Sequence, residues 1–151
     1  MVSRHSLELA VPGLVVGALA GVMAGGLTLF AGQPGGATFL ALPLALFGGL
    51  YGMLLGHGPF RPGTFAPAGL LWLPAFPLSR LAQESVAATG ALADGVLPFL
   101  AYQAMVSLGF AIGFLWLHER LMPSWLLRVR ARGHNPRADR LLAHYVRSAS
   151  A

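Results

Sequence analysis

The chain has 151 residues, of which 56% are hydrophobic and only 10% charged, with a formal net charge of +5. A soluble domain carries about 25% charged residues, so this chain cannot coat a water-soluble globule and needs lipid or other subunits to cover it. Having no cysteine, it has no disulfides, thiolate metal sites, iron–sulfur clusters or covalent c-type haem attachment through CxxCH.

The charge is unevenly placed. Residues 120–151 hold Arg120, Arg128, Arg130, Arg132, Arg137, Arg140 and Arg147 against Asp139 alone, a net of +6. Residues 1–119 hold Arg4, Arg61 and Arg80 against Glu8, Glu84, Asp94 and Glu119, a net of −1. Every basic residue is an arginine, a usage associated with GC-rich bacterial genomes.

The first apolar run, Leu9 to Ala31, contains no charge and is long enough to span the ~30 Å hydrocarbon core. It is too long for a signal-peptide core, and Glu8 stands where such a peptide carries positive charge, so the run is expected to remain as a membrane helix. Gln33-Pro34-Gly35-Gly36 reads as a turn, and Ala37 to His57 as a second span. A second turn follows from His57 to Gly63. The third run, Thr64 to Ser79, is short and carries Pro67, Pro74 and Pro77. It reads as a short kinked span, a re-entrant hairpin or an interfacial segment; the span is preferred because only then do Arg4, Arg61 and the basic tail share one side, as the positive-inside rule requires. Leu81 to Gly95 reads as a short surface helix or a long loop, and Val96 to Leu117 as the last span, ending in interfacial Trp116, His118, Glu119 and Arg120. In the tail, Pro123 is expected to open a helix that Gly133 closes. Asn135 is expected to cap another from Pro136, with Leu141, Leu142, Tyr145 and Val146 as its apolar face.

The predicted fold is therefore all-α: an integral membrane bundle of about four transmembrane helices (about 9–31, 37–57, 64–80 and 96–117) within residues 1–120. An arginine-rich cytoplasmic tail over 121–151, bearing amphipathic surface helices, completes it. Multi-pass insertion in the inner (plasma) membrane with both termini cytoplasmic is the predicted location.

Glycine spacing is the most specific signal. Gly13, Gly17, Gly21 and Gly25 recur every fourth residue, as do Gly48, Gly52 and Gly56, and Gly109 and Gly113. Such stripes let helix backbones approach closely. They serve packing inside the chain or docking of a partner, and a leftover stripe would be the interface. Arg128, Arg130, Arg132, Arg137, Arg140 and Trp125 are the candidates for contact with anionic lipid headgroups or an acidic partner subunit. Nucleic acid is not expected, since Trp125 and Tyr145 are the tail's only stacking residues.

Chemistry is sparse. No phosphate loop, GxSxG or HExxH occurs, and Glu84 and Asp94 are ten residues apart in an expected loop, so no catalytic residues are assigned. The spans carry no charge for ion coupling. The histidines lack the spacing of a shared helix face and read as interfacial; His57 and His118 are weak metal or haem candidates, and no cofactor is expected.

The stretches Phe47-Gly48-Gly49-Leu50-Tyr51-Gly52 and Gly69-Leu70-Leu71-Trp72-Leu73-Pro74 resemble the small, glycine-rich, four-helix membrane proteins of uncharacterised bacterial families. That resemblance implies a four-helix fold and no activity. The function expected is non-enzymatic: an accessory or scaffolding subunit of a larger membrane complex, respiratory or photosynthetic for example, bound to other subunits or to itself. One alternative is a homo-oligomeric transport protein with Tyr102, Gln103 and Ser107 on a polar path. Another is a redox protein using His57 and His118.

Overall fold

The computed structural model describes residues 4–30 and 36–149. Among these the fold is all helical: α1 (Arg4–Phe30), α2 (Gly36–His57), α3 (Phe65–Ala87), α4 (Val96–Arg132) and α5 (Pro136–Ala149). Of the expected turn Gln33-Pro34-Gly35-Gly36, the first three residues lie outside the described residues and Gly36 opens α2.

Glycine decides the first pairing. A β-carbon on Gly13 would fall on the Gly48 carbonyl, one on Gly17 on the Leu44 carbonyl, and one on Gly21 on the Ala41 backbone. From the other side, Gly48 meets the Gly13 carbonyl, Gly52 the Leu9 carbonyl and Gly56 the Leu9 side chain. The two stripes are thus each other's partners in an antiparallel pair whose backbones touch, and dispersion between them replaces side-chain burial.

Among the described residues three helices are long and apolar enough to cross a membrane: Arg4–Leu27, Phe39–His57 and Val96–Arg132. The third predicted span is helical but differs from its expected form. α3 runs past Arg80 to Ala87 and takes in much of the segment expected as a surface helix or loop. Pro67 sits in its first turn, where a missing N–H costs nothing, and Pro74 and Pro77 lie inside it. It stops at Ala88, which adopts left-handed φ 48° and donates its N–H to the Glu84 carbonyl at 2.9 Å.

α4 is the larger correction. It does not end near Leu117, and Pro123 does not open a new helix; one helix of 37 residues passes through it. The buried positions explain this. Phe99, Gln103, Ser107, Ala111, Phe114, His118, Met122, Leu126 and Val129 follow in steps of four or three, so one apolar stripe keeps helical phase across the proline. Packing along that stripe outweighs the single bond Pro123 cannot make. At ~1.5 Å per residue α4 is about 55 Å long, well beyond the ~30 Å thickness of a hydrocarbon core.

α5 folds back across the end of α4. Asn135 caps it, its Oδ1 accepting the N–H groups of Arg137 (3.1 Å) and Ala138 (3.3 Å). Ala138, Leu141 and Leu142 are buried and Tyr145 half-buried, whereas Val146, expected on the same face, is exposed. At ~100° per residue Val146 lies about 90° from the middle of the face formed by Ala138, Leu141, Leu142 and Tyr145, which puts it on the rim of that face.

The N-terminus of α1, the α2–α3 loop and the tail all meet at one end of the bundle. Trp125 Nε1 donates to the Glu8 carbonyl at 2.7 Å. Asn135 Nδ2 donates to Glu8 Oε2 at 2.7 Å and to the His5 carbonyl at 3.2 Å, and Arg137 donates to the Ser6 hydroxyl. α3 therefore runs antiparallel to α2 and delivers Arg80 and Glu84 to the opposite end.

Candidate functional site

An aromatic column fills the bundle between α2, α3 and α4. On α4, Phe110, Phe114 and His118 lie four residues apart and stack, with centroids 6.4 Å and then 5.6 Å apart and planes tilted by 21° and 24°. Trp72 of α3 packs edge-on against Phe110 and Phe114 at 4.6 and 4.7 Å, and Tyr51 of α2 against Phe114 and His118 at 5.3 and 5.0 Å. Such edge-to-face pairs match ring edges to ring faces and add about 0.5–1.5 kcal/mol beyond burial.

At the tail end the column turns polar. His118 is fully buried, not interfacial as expected, and Glu119 follows it. Glu119 Oε2 accepts the Tyr145 hydroxyl at 2.8 Å, which joins α5 to α4. Glu119 Oε1 lies 3.9 Å from His118 Nδ1, too far for a hydrogen bond. Both His118 nitrogens, the Tyr51 hydroxyl, Glu119 Oε1 and Trp72 Nε1 are buried without a hydrogen-bonding partner. Each such atom costs about 1–3 kcal/mol, a cost that the packing around it has to offset. Burial, reinforced by Glu119, pushes the Tyr145 phenol above its ordinary range, which keeps it a donor.

The two weak metal candidates have different surroundings. His57 is exposed at the end of α2, its Nδ1 2.7 Å from the carbonyl of Met53 in its own helix. His118 is enclosed by rings. Among the described residues no three His, Asp or Glu side chains gather as metal ligands. Gln103 and Ser107 are buried, Ser107 donating to the Ala104 carbonyl at 2.6 Å, while Tyr102 faces outward. The three do not share one path.

Glu84 is also placed differently from expectation. It is buried, and its carboxylate accepts the Thr89 hydroxyl at 2.5 Å and the Ala91 N–H at 3.0 Å, closing the turn after α3. Burial alone would raise its pKa, but these bonds outweigh it and hold the carboxyl below its usual range. Asp94 is exposed and belongs to no pair.

The glycines divide. Gly13, Gly17, Gly21, Gly48, Gly52 and Gly56 are used inside the chain, and Gly25 is buried. Gly109 and Gly113 have nothing within 4 Å of where a β-carbon would stand. They lie on an outer face of α4 with Tyr102, Met105, Ile112 and Trp116, all more than half exposed.

The tail cations divide too. Arg130 lies 3.9 Å and His134 3.3 Å from Asp139, and Arg132 sits over the Trp125 ring at 5.7 Å. Arg128 is exposed, and Arg120 covers Trp116 at 4.2 Å. Arg137 and Arg140 instead face the α2–α3 loop together with His144 and Arg147. Glu8 and Ser6, which hold the tail to α1, were not read as functional; no local motif marks a contact across about 130 residues of chain.

Comparison with known proteins gives no guide to the function: no family model, curated protein or solved structure matches this chain.

Proposed function

We propose that the chain is a non-enzymatic integral membrane protein, an accessory or scaffolding subunit that docks through the outer face of α4. In this reading all of α1 to α4 cross the inner membrane, both termini are cytoplasmic, and the tail forms a cap on the cytoplasmic face. One observation carries it: of the glycine stripes, that of α1 and α2 is consumed within the chain, whereas Gly109 and Gly113 are open along α4. The neighbouring Met105, Ile112 and Trp116 supply apolar walls on either side of that flat strip. A transmembrane helix with small residues of its own fits there by close backbone approach.

The test is a double substitution, Gly109→Leu with Gly113→Leu. Among the described residues nothing outside the adjoining backbone of α4 stands within 4 Å of where the new side chains begin, so helix content and thermal stability should hold while co-purification with partner subunits is lost. Unchanged co-purification would remove the docking role of α4. The transport alternative gains nothing from the geometry, since Tyr102 points away from Gln103 and Ser107.

A further inference from the structure

A groove of about 580 Å³ lies between the start of α3 and α4, lined by Phe65, Ile112, Leu115, Trp116, Glu119 and Arg120. We infer that it binds a long-chain carboxylate, the anion of a fatty acid, with the head on Arg120 and the chain on the apolar walls. The inference takes from the proposed function only that α4 crosses the membrane. Along α4 the lining passes from Ile112 through Leu115 and Trp116 to Glu119 and Arg120, about 12 Å of helix axis from first to last. The charge-free run of α4 ends at Leu117, so the charged end of the groove falls where hydrocarbon gives way to headgroups. A ligand entering from the membrane therefore meets a cation at headgroup depth and apolar side chains below it.

The walls are open to such a chain. Phe65, Ile112 and Trp116 are 42%, 60% and 55% exposed, so no part of this protein already covers them. The charge is open as well. Arg120 forms no ion pair among the described residues, and its guanidinium lies over the Trp116 ring at 4.2 Å. Stacking of this kind holds the planar group in place without neutralising it, and a carboxylate matches its N–H fork with two parallel hydrogen bonds. Glu119 borders the groove, but its carboxylate is committed inward: Oε2 accepts the Tyr145 hydroxyl and Oε1 is buried beside His118. One presented cation balances one negative charge, and a groove of this size suits one alkyl chain. Ile112 and Trp116 also flank the open glycine strip, so a partner seated on Gly109 and Gly113 would roof the bound chain.

The experiment places the full chain in phosphatidylcholine nanodiscs at about pH 8, where a carboxyl group is ionised, and titrates them with radiolabelled palmitate against empty discs. Retention above the empty discs should saturate at one palmitate per chain, and methyl palmitate, which lacks the charge, should show no saturable retention; neither comparison requires a variant. Arg120→Gln should weaken palmitate binding about tenfold, through loss of two charge-assisted hydrogen bonds. Arg128→Gln, equal in charge lost and also exposed, should change it less than about twofold. Retention that rises as in empty discs would overturn the site in favour of simple partition. Equal losses from Arg120→Gln and Arg128→Gln would overturn it in favour of a diffuse positive field, and equal binding of methyl palmitate would remove the anion from the account. Displacement of palmitate by phosphatidylglycerol added to the discs would make the ligand a phospholipid phosphate instead. Extraction of the chain from native membranes by alkaline carbonate would remove the membrane reading itself, so the two failures are distinguishable.

Discussion

The Tyr145 hydroxyl donates to Glu119 Oε2 at 2.8 Å, and through that bond the last helix of the chain is fastened to the polar end of the aromatic column. The same carboxyl group places its other oxygen 3.9 Å from buried His118. The tail is thus joined to the bundle interior as well as to the start of α1, and its position reports on both.

Tyr145→Phe should loosen α5. The lost bond ends on a carboxylate, worth about 1.5–3 kcal/mol, and hydrogen exchange of the amides from Leu141 to Val146 should rise while that of α1 and α2 stays unchanged. The pH dependence follows from the phenol. Its folded pKa is raised above 10.0, so its contribution is complete below pH 10 and fades as pH climbs toward the folded value. Protease sensitivity of the tail should stay constant from neutral pH to about pH 10 and increase above it; a loss of protection near pH 8 would contradict the assignment.

Glu84 gives the opposite sign. Its folded pKa is depressed below 4.5, so the stability it lends the turn after α3 is present above that value and lost as pH falls through the folded one. Exchange of the Ala91 amide should accelerate on acidification from pH 5 to pH 2, after correction for the intrinsic rate, and Glu84→Gln should remove most of that pH dependence.

Glycine substitutions should separate packing from docking. Gly17→Leu drives a side chain into the Leu44 carbonyl and should cost about 3 kcal/mol or more. Gly109→Leu meets open space and should change stability by less than about 0.5 kcal/mol. Thermal unfolding of both variants in one detergent checks the contrast.

His118→Phe should raise the melting temperature. The new ring can stack on Phe114 as the imidazole does, and two buried nitrogens without partners disappear, relieving about 1–3 kcal/mol for each. A lower melting temperature would mean that the imidazole is held by a guest that contributes to stability, and would turn attention to the Tyr51–His118–Glu119 cluster as a ligand site.

The helical bundle was readable because charge-free runs of membrane length leave few other folds, and because a turn of Pro and Gly separates α2 from α3. The continuation of α4 was harder to see. His118-Glu119-Arg120 and Pro123 look like the end of a span, yet the spacing of Phe110, Phe114, His118, Met122 and Leu126 keeps helical phase straight through them. That phase was also the signal that could have placed His118 inside. Histidine after an apolar run suits an interface or a core equally well, and only its position on the buried stripe decides. The glycine repeats showed smooth faces without showing what each one meets; a period of four residues is the same whether the neighbour is α2 or another chain. Glu84 could not be placed because its partners, Thr89 and Ala91, come from a turn whose path depends on the Ala88 cap.

The docking role of α4 is tested most directly by cross-linking in the native membrane. The chain has no cysteine of its own, so Ile112→Cys on the open face of α4 and Met23→Cys on exposed α1 each introduce a single thiol for a photoactivatable label. The account predicts a discrete, stoichiometric adduct from position 112, with a partner subunit or a second copy, and only lipid-labelled monomer from position 23. Monomer alone from both positions, or the same adducts from both, would contradict it.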